Sequence, residues 1–379
     1  MHEYWQRVTE GRQLDQLWAQ FKTEAKESYG LFSREVDWNA VNREKRMKRP
    51  FRAAWALLQV LMMKLTPARR VLLLAALVCL IYPTPALIVR DLFEPRNRGF
   101  EGFAELYALG GVLLFVLLAL ELADRVTMKR DLEIAREIQR WLVPENPPEV
   151  PGADIAFASR PANTVAGDYY DAFLRNVSVG DATASRLLVV VADVAGKSVP
   201  AALLMATLQA SLRALSGAGR SLREVVEGIN RYACEHSLGG LRFTTAFFGE
   251  WDPATRQFEY INAGHNPPIL RRGPGRIERL AEGGLPLGIA LDDGALRHYE
   301  SGITRIDAGD ALVIFTDGVV EAVDAEEKEF GEGRLLESLE SCAPSAAKDL
   351  LREIMADVDR FVAGARQHDD ITCLVMKAV

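Results

Sequence analysis

The sequence predicts a layered α/β (α+β) domain preceded by an apolar, helical N-terminal region. Apolar residues crowd between Phe51 and Leu122, whereas the rest of the 379-residue chain has the mixed composition of a folded globular domain. From residue 152 onward, short apolar runs of strand length alternate with longer helical stretches. This alternation favours sheets covered by helices over residues 152–379.

The net charge and the cysteines exclude two classes of function. The chain carries a formal net charge of −7 and has no basic patch interleaved with aromatic residues, so nucleic acid is not expected as a partner. Its four cysteines form no CxxC and no Cys/His arrangement. They are expected to be isolated reduced thiols rather than zinc ligands or disulfides.

Residues 1–70 are expected to form a helical, basic N-terminal segment, and two uncharged segments follow it. The first spans 71–89 and the second spans 106–120. Together they predict a two-helix transmembrane hairpin over 71–123. Basic residues flank the outer ends of the hairpin more than its connection. The positive-inside rule therefore predicts a multi-pass protein of the inner (cytoplasmic) membrane, with the N-terminus and the C-terminal domain in the cytoplasm. The alternative is a soluble protein with two unusually apolar buried helices.

An amphipathic linker helix is predicted over residues 124–144, between the hairpin and the C-terminal domain. Its apolar positions recur at intervals of four or eight residues and form one stripe: Leu122, Val126, Ile134, Ile138 and Leu142. Such a stripe can pair with the same helix of a second copy, so a homodimer through this helix is expected. The alternative is a plain spacer. Pro144 ends the helix.

Aspartates mark the ends of several predicted strands. Asp168 lies in "VAGDYYD", Asp193 ends "LLVVVAD", Asp317 ends "LVIFTD", and Asp369 opens "DDITCLVM". One such aspartate usually caps a turn. Four carboxylates brought together repel one another and lose hydration unless a cation neutralises them. Oxygen ligands without a His/Cys cluster indicate Mg²⁺ or Mn²⁺, and two such ions can position a water for in-line attack on phosphorus.

Seven motifs, in this order along residues 130–379, resemble the bacterial PP2C-like (PPM) serine/threonine phosphatases of the SpoIIE/RsbU type. They are "LEIAREIQRWLVP", "PANTVAGDYYD", "VADVAGKSVPAALLMA", "YINAGHNPPIL", "GLPLGI", "FTDGVVEAVDAEEKEFGEGRL" and "HDDITCLVM". The resemblance implies a PP2C-like β-sandwich flanked by helices, with two Mn²⁺ or Mg²⁺ ions. It also implies hydrolysis of phosphoserine or phosphothreonine on a partner protein, typically a phosphorylated STAS-type anti-sigma factor antagonist. The alternative is a non-catalytic, membrane-anchored signalling scaffold with a phosphatase-like binding domain.

The resemblance also assigns the metal ligands residue by residue. Asp168, Asp317 and Asp369 are expected to bind through their carboxylates. Asp193 is expected to bridge both ions, and Val194 to bind through its main-chain carbonyl. The nucleophile would be a metal-activated water, so no side chain is expected to attack phosphorus.

Four further residues are candidates for supporting roles. Asp171 and Asp370 are expected to lie just outside the ligands or to cap local structure. Arg160 and Lys197 either contact the substrate phosphate, which a cationic side chain suits, or are solvated surface residues.

The chain departs from the usual family pattern at two positions near the site. Ala166 stands where the family usually has the first of two glycines, and Ser198 stands where the family usually has glycine; neither change removes a ligand. His265, in "NAGHNPP", is expected to hold its loop rather than to transfer protons.

Overall fold

A computed structural model describes most of the chain, and its contacts divide it into two units, residues 1–127 and 128–379. The residues described are 18, 22, 30, 33, 36, 38, 41, 48–84, 100–179, 182–217, 219–236, 242–273, 275–289, 298–341 and 346–379.

From residue 48 onward, the described part of the first unit includes three helices, the last of which continues into the second unit. They are α1 (Arg49–Lys64), α2 (Pro67–Ile81) and α3 (Phe100–Leu142). Helix α2 and the first half of α3 run antiparallel. At one end Arg69 contacts Asp124 at 2.6 Å, and at the other the hydroxyls of Thr84 and Tyr107 are 3.2 Å apart. Across the described residues, α3 is the one helix long and apolar enough to cross a membrane.

Two expectations about this region extend beyond what the structure describes. Residues 85–99, which include the end of the first expected span and most of the connection, lie outside the described residues, as does most of segment 1–47. Helix α3 runs without interruption through the expected boundary between span and linker, residues 123 and 124.

The described strands of the second unit form two mostly antiparallel sheets. Sheet A has the strand order β1-β11-β10-β6-β7, and sheet B has the order β2-β3-β4-β5-β8, with β9 paired to β5. The strands are β1 (Ala153–Arg160), β2 (Tyr169–Val179), β3 (Ala182–Val194), β4 (Thr244–Trp251), β5 (Gln257–Ala263), β6 (Ile269–Arg272), β7 (Arg276–Arg279), β8 (Gly283–Gly284), β9 (Gly302–Arg305), β10 (Ala311–Phe315) and β11 (Ile371–Ala378).

Helices cover the outer faces of both sheets. The covering helices are α4 (Val199–Leu215) and α5 (Leu222–His236) on sheet B, and α7 (Gly331–Ser341) and α8 (Ala347–Val362) on sheet A. A single helical turn, α6 (Asp317–Val320), follows β10. The result is a four-layer α/β/β/α sandwich, which confirms the predicted fold class.

Side-chain alternation along the central strands builds three apolar layers. Leu187, Val189 and Val191 of β3 point into the core between the sheets, whereas Leu188 and Val190 point outward under α4 and α5. Because both faces of β3 are covered, the strand is an almost continuous apolar run rather than an alternating one. The same alternation determines which side each aspartate at a strand end faces.

Candidate metal centre

The predicted carboxylates lie at the same end of the sandwich, where they interact electrostatically with one another. Asp168 directly precedes β2. It lies two residues before Tyr170 and four before Ala172, whose side chains face the core between the sheets. Asp193, at the end of β3, shares the inward alternation of Leu187 and Val191. The spacing of two residues between inward side chains therefore brings Asp168 and Asp193 to the same place.

Sheet A supplies the other carboxylates through β10 and β11. Asp317 follows β10, and Asp369 precedes β11, its antiparallel neighbour. Gly318 lets these two segments touch, because a Cβ at this position would overlap the main-chain carbonyl of Asp370. The glycine after Asp317 is thus needed for close backbone approach.

The pKa values record how strongly these carboxyl groups interact. Burial, followed by the charges of Asp317, Asp369 and Asp370, raises the pKa of Asp193 to about 7. Burial and then the charge of Asp193 raise the pKa of Asp168 well above its usual range. The pKa of Asp317 is also raised, by burial and then by Asp369. These carboxyl groups therefore lie within electrostatic reach of one another, in an environment that disfavours their charged forms.

Among the described residues, the side chain of Lys197 provides a positive charge beside these carboxylates. Its Nζ donates a hydrogen bond to the His368 carbonyl at 2.7 Å and lies 2.9 Å from Oδ2 of Asp369. Its charge also opposes the rise in the pKa of Asp317. Lys197 is thus an exposed ion-pair partner of an expected ligand.

Asp370 supports the loop that leads to Asp168. Its Oδ1 accepts a hydrogen bond from the Ala162 N–H at 2.7 Å, and its Oδ2 accepts one from the Gly167 N–H at 2.6 Å. Both carboxylate oxygens therefore hold backbone amides. This geometry supports the prediction that Asp370 acts from outside the ligand set.

Asp171 points away from the other carboxylates, onto the outer face of sheet B. Arg213 of α4 donates to it twice, at 2.9 and 2.8 Å, and the Tyr169 hydroxyl donates at 2.6 Å. Burial raises its pKa, and the hydrogen bonds from Tyr169 and Arg213 oppose that rise. Asp171 therefore joins α4 to β2, which supports its predicted structural role.

The remaining predicted residues have mixed surroundings. Arg160 is half-exposed, and its Nη1 lies 2.6 Å from Oδ1 of Asp359 on α8. The carbonyl of Val194 faces the loop before Asp168, since it lies 3.3 Å from the point that a Cβ at Gly167 would occupy. The roles of Arg160 as a phosphate contact and of Val194 as a ligand stay predictions.

Two residues not singled out from the sequence complete the site. The Thr316 hydroxyl donates to Oδ2 of Asp168 at 2.9 Å and accepts from the Thr372 N–H at 3.0 Å. Gln139, on α3, makes two hydrogen bonds to the backbone of Ala166. The position of Thr316 directly before Asp317 is a signal that could have revealed it, whereas the partner of Gln139 is backbone and leaves no signature in the sequence.

His265 is buried beneath the same end of sheet B. Its Nδ1 lies 3.1 Å from the Thr245 hydroxyl, and the Asn262 side chain bonds both its N–H and its carbonyl. Burial lowers the pKa of His265 to about 4. The neutral, hydrogen-bonded ring agrees with a loop-holding role.

The donor set fits a hard divalent cation. The donors are carboxylate oxygens, and burial makes their uncompensated charge unfavourable. In the described part of the chain, however, no three His, Cys, Asp or Glu side chains are close enough to hold one ion.

Comparison with known proteins agrees with the fold. The family model described as Stage II sporulation protein E (SpoIIE) matches residues 183–379. The chain is 30% identical to protein IcfG of Synechocystis sp. over 69% of its length, but spans only 43% of that protein. It is 29% identical to phosphoserine phosphatase RsbU of Bacillus subtilis, over 66% of this chain and 70% of RsbU.

Two solved structures share the architecture of the second unit. The SiaA-PP2C domain of Pseudomonas aeruginosa aligns with a TM-score of 0.55 at 19% identity, covering 68% of this chain and 98% of that domain. The PP2C phosphatase domain of SpoIIE from Bacillus subtilis, solved with a fragment of its regulatory domain, aligns with a TM-score of 0.50 at 17% identity. That alignment covers 60% of this chain and 61% of the other. At these identities the likeness establishes the PP2C fold.

Proposed function

We propose, because the chain belongs to the SpoIIE family, that it is a metal-dependent protein serine/threonine phosphatase. The observation that carries the proposal is the electrostatic interaction of Asp193 with Asp168, Asp317 and Asp369 at one end of the sandwich, where burial and repulsion raise the pKa of Asp193 to about 7. The similarity to a phosphoserine phosphatase over 70% of the length of RsbU supports it.

Asp168, Asp193, Asp317, Asp369 and the carbonyl of Val194 would hold two Mn²⁺ or Mg²⁺ ions. When bound, such ions neutralise the carboxylates, polarise the phosphoryl oxygens and lower the pKa of a water molecule. No side chain of the described residues needs to form a covalent bond to phosphorus.

The other residues of the site position these groups. Thr316 fixes the orientation of Asp168 by its hydrogen bond, and Asp370 holds the loop in front of it. Lys197 pairs with Asp369 and lies on the exposed side, where its ammonium group can also meet an incoming phosphate.

The proposed substrate is a phosphoprotein, specifically a phosphorylated STAS-type anti-sigma factor antagonist. This proposal comes from the family resemblance rather than from a contact in the chain. The phosphoprotein that accumulates when wild type is replaced by Asp193→Asn in the cell would identify the substrate directly. Accumulation of no phosphoprotein would contradict it.

We also propose that α2 and α3 form a two-span hairpin in the cytoplasmic membrane. Arg69 lies 3.2 Å from Glu121, which neutralises an acidic residue at one end of the apolar segment. Gly110 lies directly against Leu80, so the two helices approach closely near the end where Thr84 contacts Tyr107. A cysteine-accessibility scan should show both ends of the pair on the cytoplasmic side.

The linker part of α3 is proposed to pair with a second copy. Val126, Ile134, Ile138 and Trp141 are 60%, 47%, 48% and 74% exposed, an unusual set of apolar residues for a solvent-facing helix. Ile138→Asp should reduce dimerisation and turnover without unfolding the domain. Unchanged oligomeric state and activity would contradict this role.

Hydrolysis of p-nitrophenyl phosphate by the full chain in detergent tests the enzyme function. Wild type should show turnover that requires Mn²⁺ or Mg²⁺, and Asp193→Asn should lower it by more than about a hundredfold, since losing a ligand costs more than losing its neighbours. Asp349→Asn, on the surface of α8, is the matched control. Equal activity in wild type and Asp193→Asn would favour the non-catalytic scaffold.

A further inference from the structure

Gln367 connects the end of β1 to the segment that carries Asp369. Its Nε2 donates one hydrogen bond to the carbonyl of Arg160 and a second to the carbonyl of Asp369, each at 2.7 Å. Because both partners are acceptors, the side chain at this position must supply two donors. A neutral amide supplies them, whereas a carboxylate of the same shape supplies none. The side chain is half-buried, so losing it would leave two carbonyls only partly accessible to water.

The two hydrogen bonds lie where the pairing of β1 with β11 stops. Arg160 and Ile371 form the last pair of this antiparallel ladder. If the pairing continued, the next backbone groups of the two strands would bond to each other. Instead the Ala162 N–H donates to the side chain of Asp370, and the Arg160 carbonyl accepts from the side chain of Gln367. Side chains therefore replace backbone partners at the point where the chain leaves the sheet.

The backbone of Asp369 and its carboxylate are held by different partners. Lys197 lies 2.9 Å from Oδ2 of the carboxylate, and the Asp370 N–H donates to Oδ1 at 3.0 Å. The Lys197 side chain is 54% exposed, and an ion pair with so exposed a group holds its partner weakly. Gln367 instead holds the main-chain carbonyl of Asp369. Of these contacts, the Gln367 amide is thus the one that ties the Asp369 backbone to another strand.

We propose that Gln367 is a positioning residue, which sets where the carboxylate of Asp369 lies and hence how tightly the site binds a divalent cation. The inference rests on the proposed metal-dependent function, in which Asp369 is a ligand. Rotation of the Asp369 backbone moves its carboxylate. A carbonyl fixed against β1 therefore reduces the conformational freedom that the carboxylate loses when a cation binds.

The first test is Mn²⁺ binding by the full chain in detergent, measured from the electron paramagnetic resonance signal of free Mn²⁺. Gln367→Met keeps the length of the side chain and removes both donors. Gln257→Met, at an exposed glutamine that begins β5, is the matched control. We expect about tenfold weaker binding in Gln367→Met and wild-type binding in the control. Wild-type affinity in Gln367→Met, even with a lower unfolding temperature, would make the residue structural only and overturn the proposal.

Gln367→Glu separates the effect of position from the effect of charge. This variant keeps the shape of the side chain, loses both donors and adds a negative charge near the expected ligands. The added charge by itself would strengthen cation binding. If position decides, Gln367→Glu binds Mn²⁺ more weakly than wild type despite that charge. Equal or tighter binding overturns the proposal, and this comparison decides alone if Gln367→Met does not fold.

Hydrogen exchange of the metal-free chain reports on the segment without any cation. The amides of residues 368–370 should exchange faster in Gln367→Met than in wild type, because the segment is no longer tied to β1. The amides of β7, at the far edge of the same sheet, should exchange as in wild type. Unchanged exchange at residues 368–370 would show that Gln367 does not hold the segment, which overturns the proposal.

The outcomes also separate this inference from the proposed function. A wild-type chain that binds Mn²⁺ and hydrolyses p-nitrophenyl phosphate, alongside a Gln367→Met variant with the same Mn²⁺ affinity, overturns the role of Gln367 alone. A wild-type chain that binds no Mn²⁺ overturns the metal-dependent function, and with it the control of cation affinity by Gln367.

Discussion

Asp168 and Asp171 lie three residues apart at the start of β2, and both are buried, yet their surroundings differ in kind. Asp171 faces α4, where the guanidinium of Arg213 and the hydroxyl of Tyr169 satisfy it. Asp168 faces the space between the sheets, where its charged neighbours are Asp193 and Asp370 and its hydrogen-bond donors are threonines.

The difference separates two uses of a buried carboxylate. A buried carboxylate that is paired with a cationic side chain of the same protein stabilises the fold, because its removal leaves that cation without its partner. A carboxylate whose neighbours are other carboxylates destabilises the fold until a cation from solution binds. Substitution of Asp171 should therefore lower the stability of the fold. Substitution of an expected ligand such as Asp193 should instead raise the stability of the metal-free chain and lower activity.

The largest expected effect on stability is at Asp171. Asp171→Asn should lower the free energy of unfolding by about 2 kcal/mol, because it weakens charged hydrogen bonds to Arg213. The loss is moderated because the Arg213 side chain is 43% exposed and can be rehydrated. Thermal unfolding of the metal-free chain measures it. Abolished Mn²⁺-dependent turnover with unchanged stability would instead place Asp171 among the ligands.

The second effect is a gain of stability in the metal-free chain when Asp193 is replaced, and its size depends on pH. The pKa of Asp193 is raised from 3.8 to about 7 in the folded chain. The native state therefore binds more protons than the unfolded state in this window, and stability falls as pH rises through it. In EDTA, the unfolding temperature of Asp193→Asn should increasingly exceed that of wild type between these pH values. Mn²⁺ should stabilise wild type only. A difference that does not change with pH would contradict the assignment.

The smallest expected effect concerns the turn at the mouth of the site. Ser198 has φ +66° and ψ −146°, a conformation that glycine adopts with little strain. Ser198→Gly should stabilise the chain by about 1 kcal/mol. Ser211→Gly, within α4, should destabilise it by about the same amount. A loss of stability in Ser198→Gly would show that this backbone is not strained.

The fold could be predicted because the strands are buried on both faces. The run "LLVVVAD" is apolar at every position before its aspartate, as expected for a strand covered by a second sheet and by helices. Period-two alternation also distinguishes Asp168 from Asp171, since side chains three residues apart face opposite sides of a strand. That argument needs only the sequence.

The rest of the site depends on contacts between distant segments. Gln139 binds backbone 27 residues away, and backbone partners place no demand on residue type. Lys197 and Arg160 could equally have faced solvent or substrate. Their observed partners, Asp369 and Asp359, come from elements that only the folded sandwich brings near.

The contact at Gly318 has a consequence for how the site is assembled. Backbone meets backbone where the turn after Asp317 rests on Asp370, with no room for even a methyl group. The separation of the two carboxylate-bearing segments is thus fixed by main-chain dimensions, not by adjustable side chains. The entropy of bringing them together is lost during folding, so the proposed cation would meet a preorganised pair of segments and need order only the carboxylates.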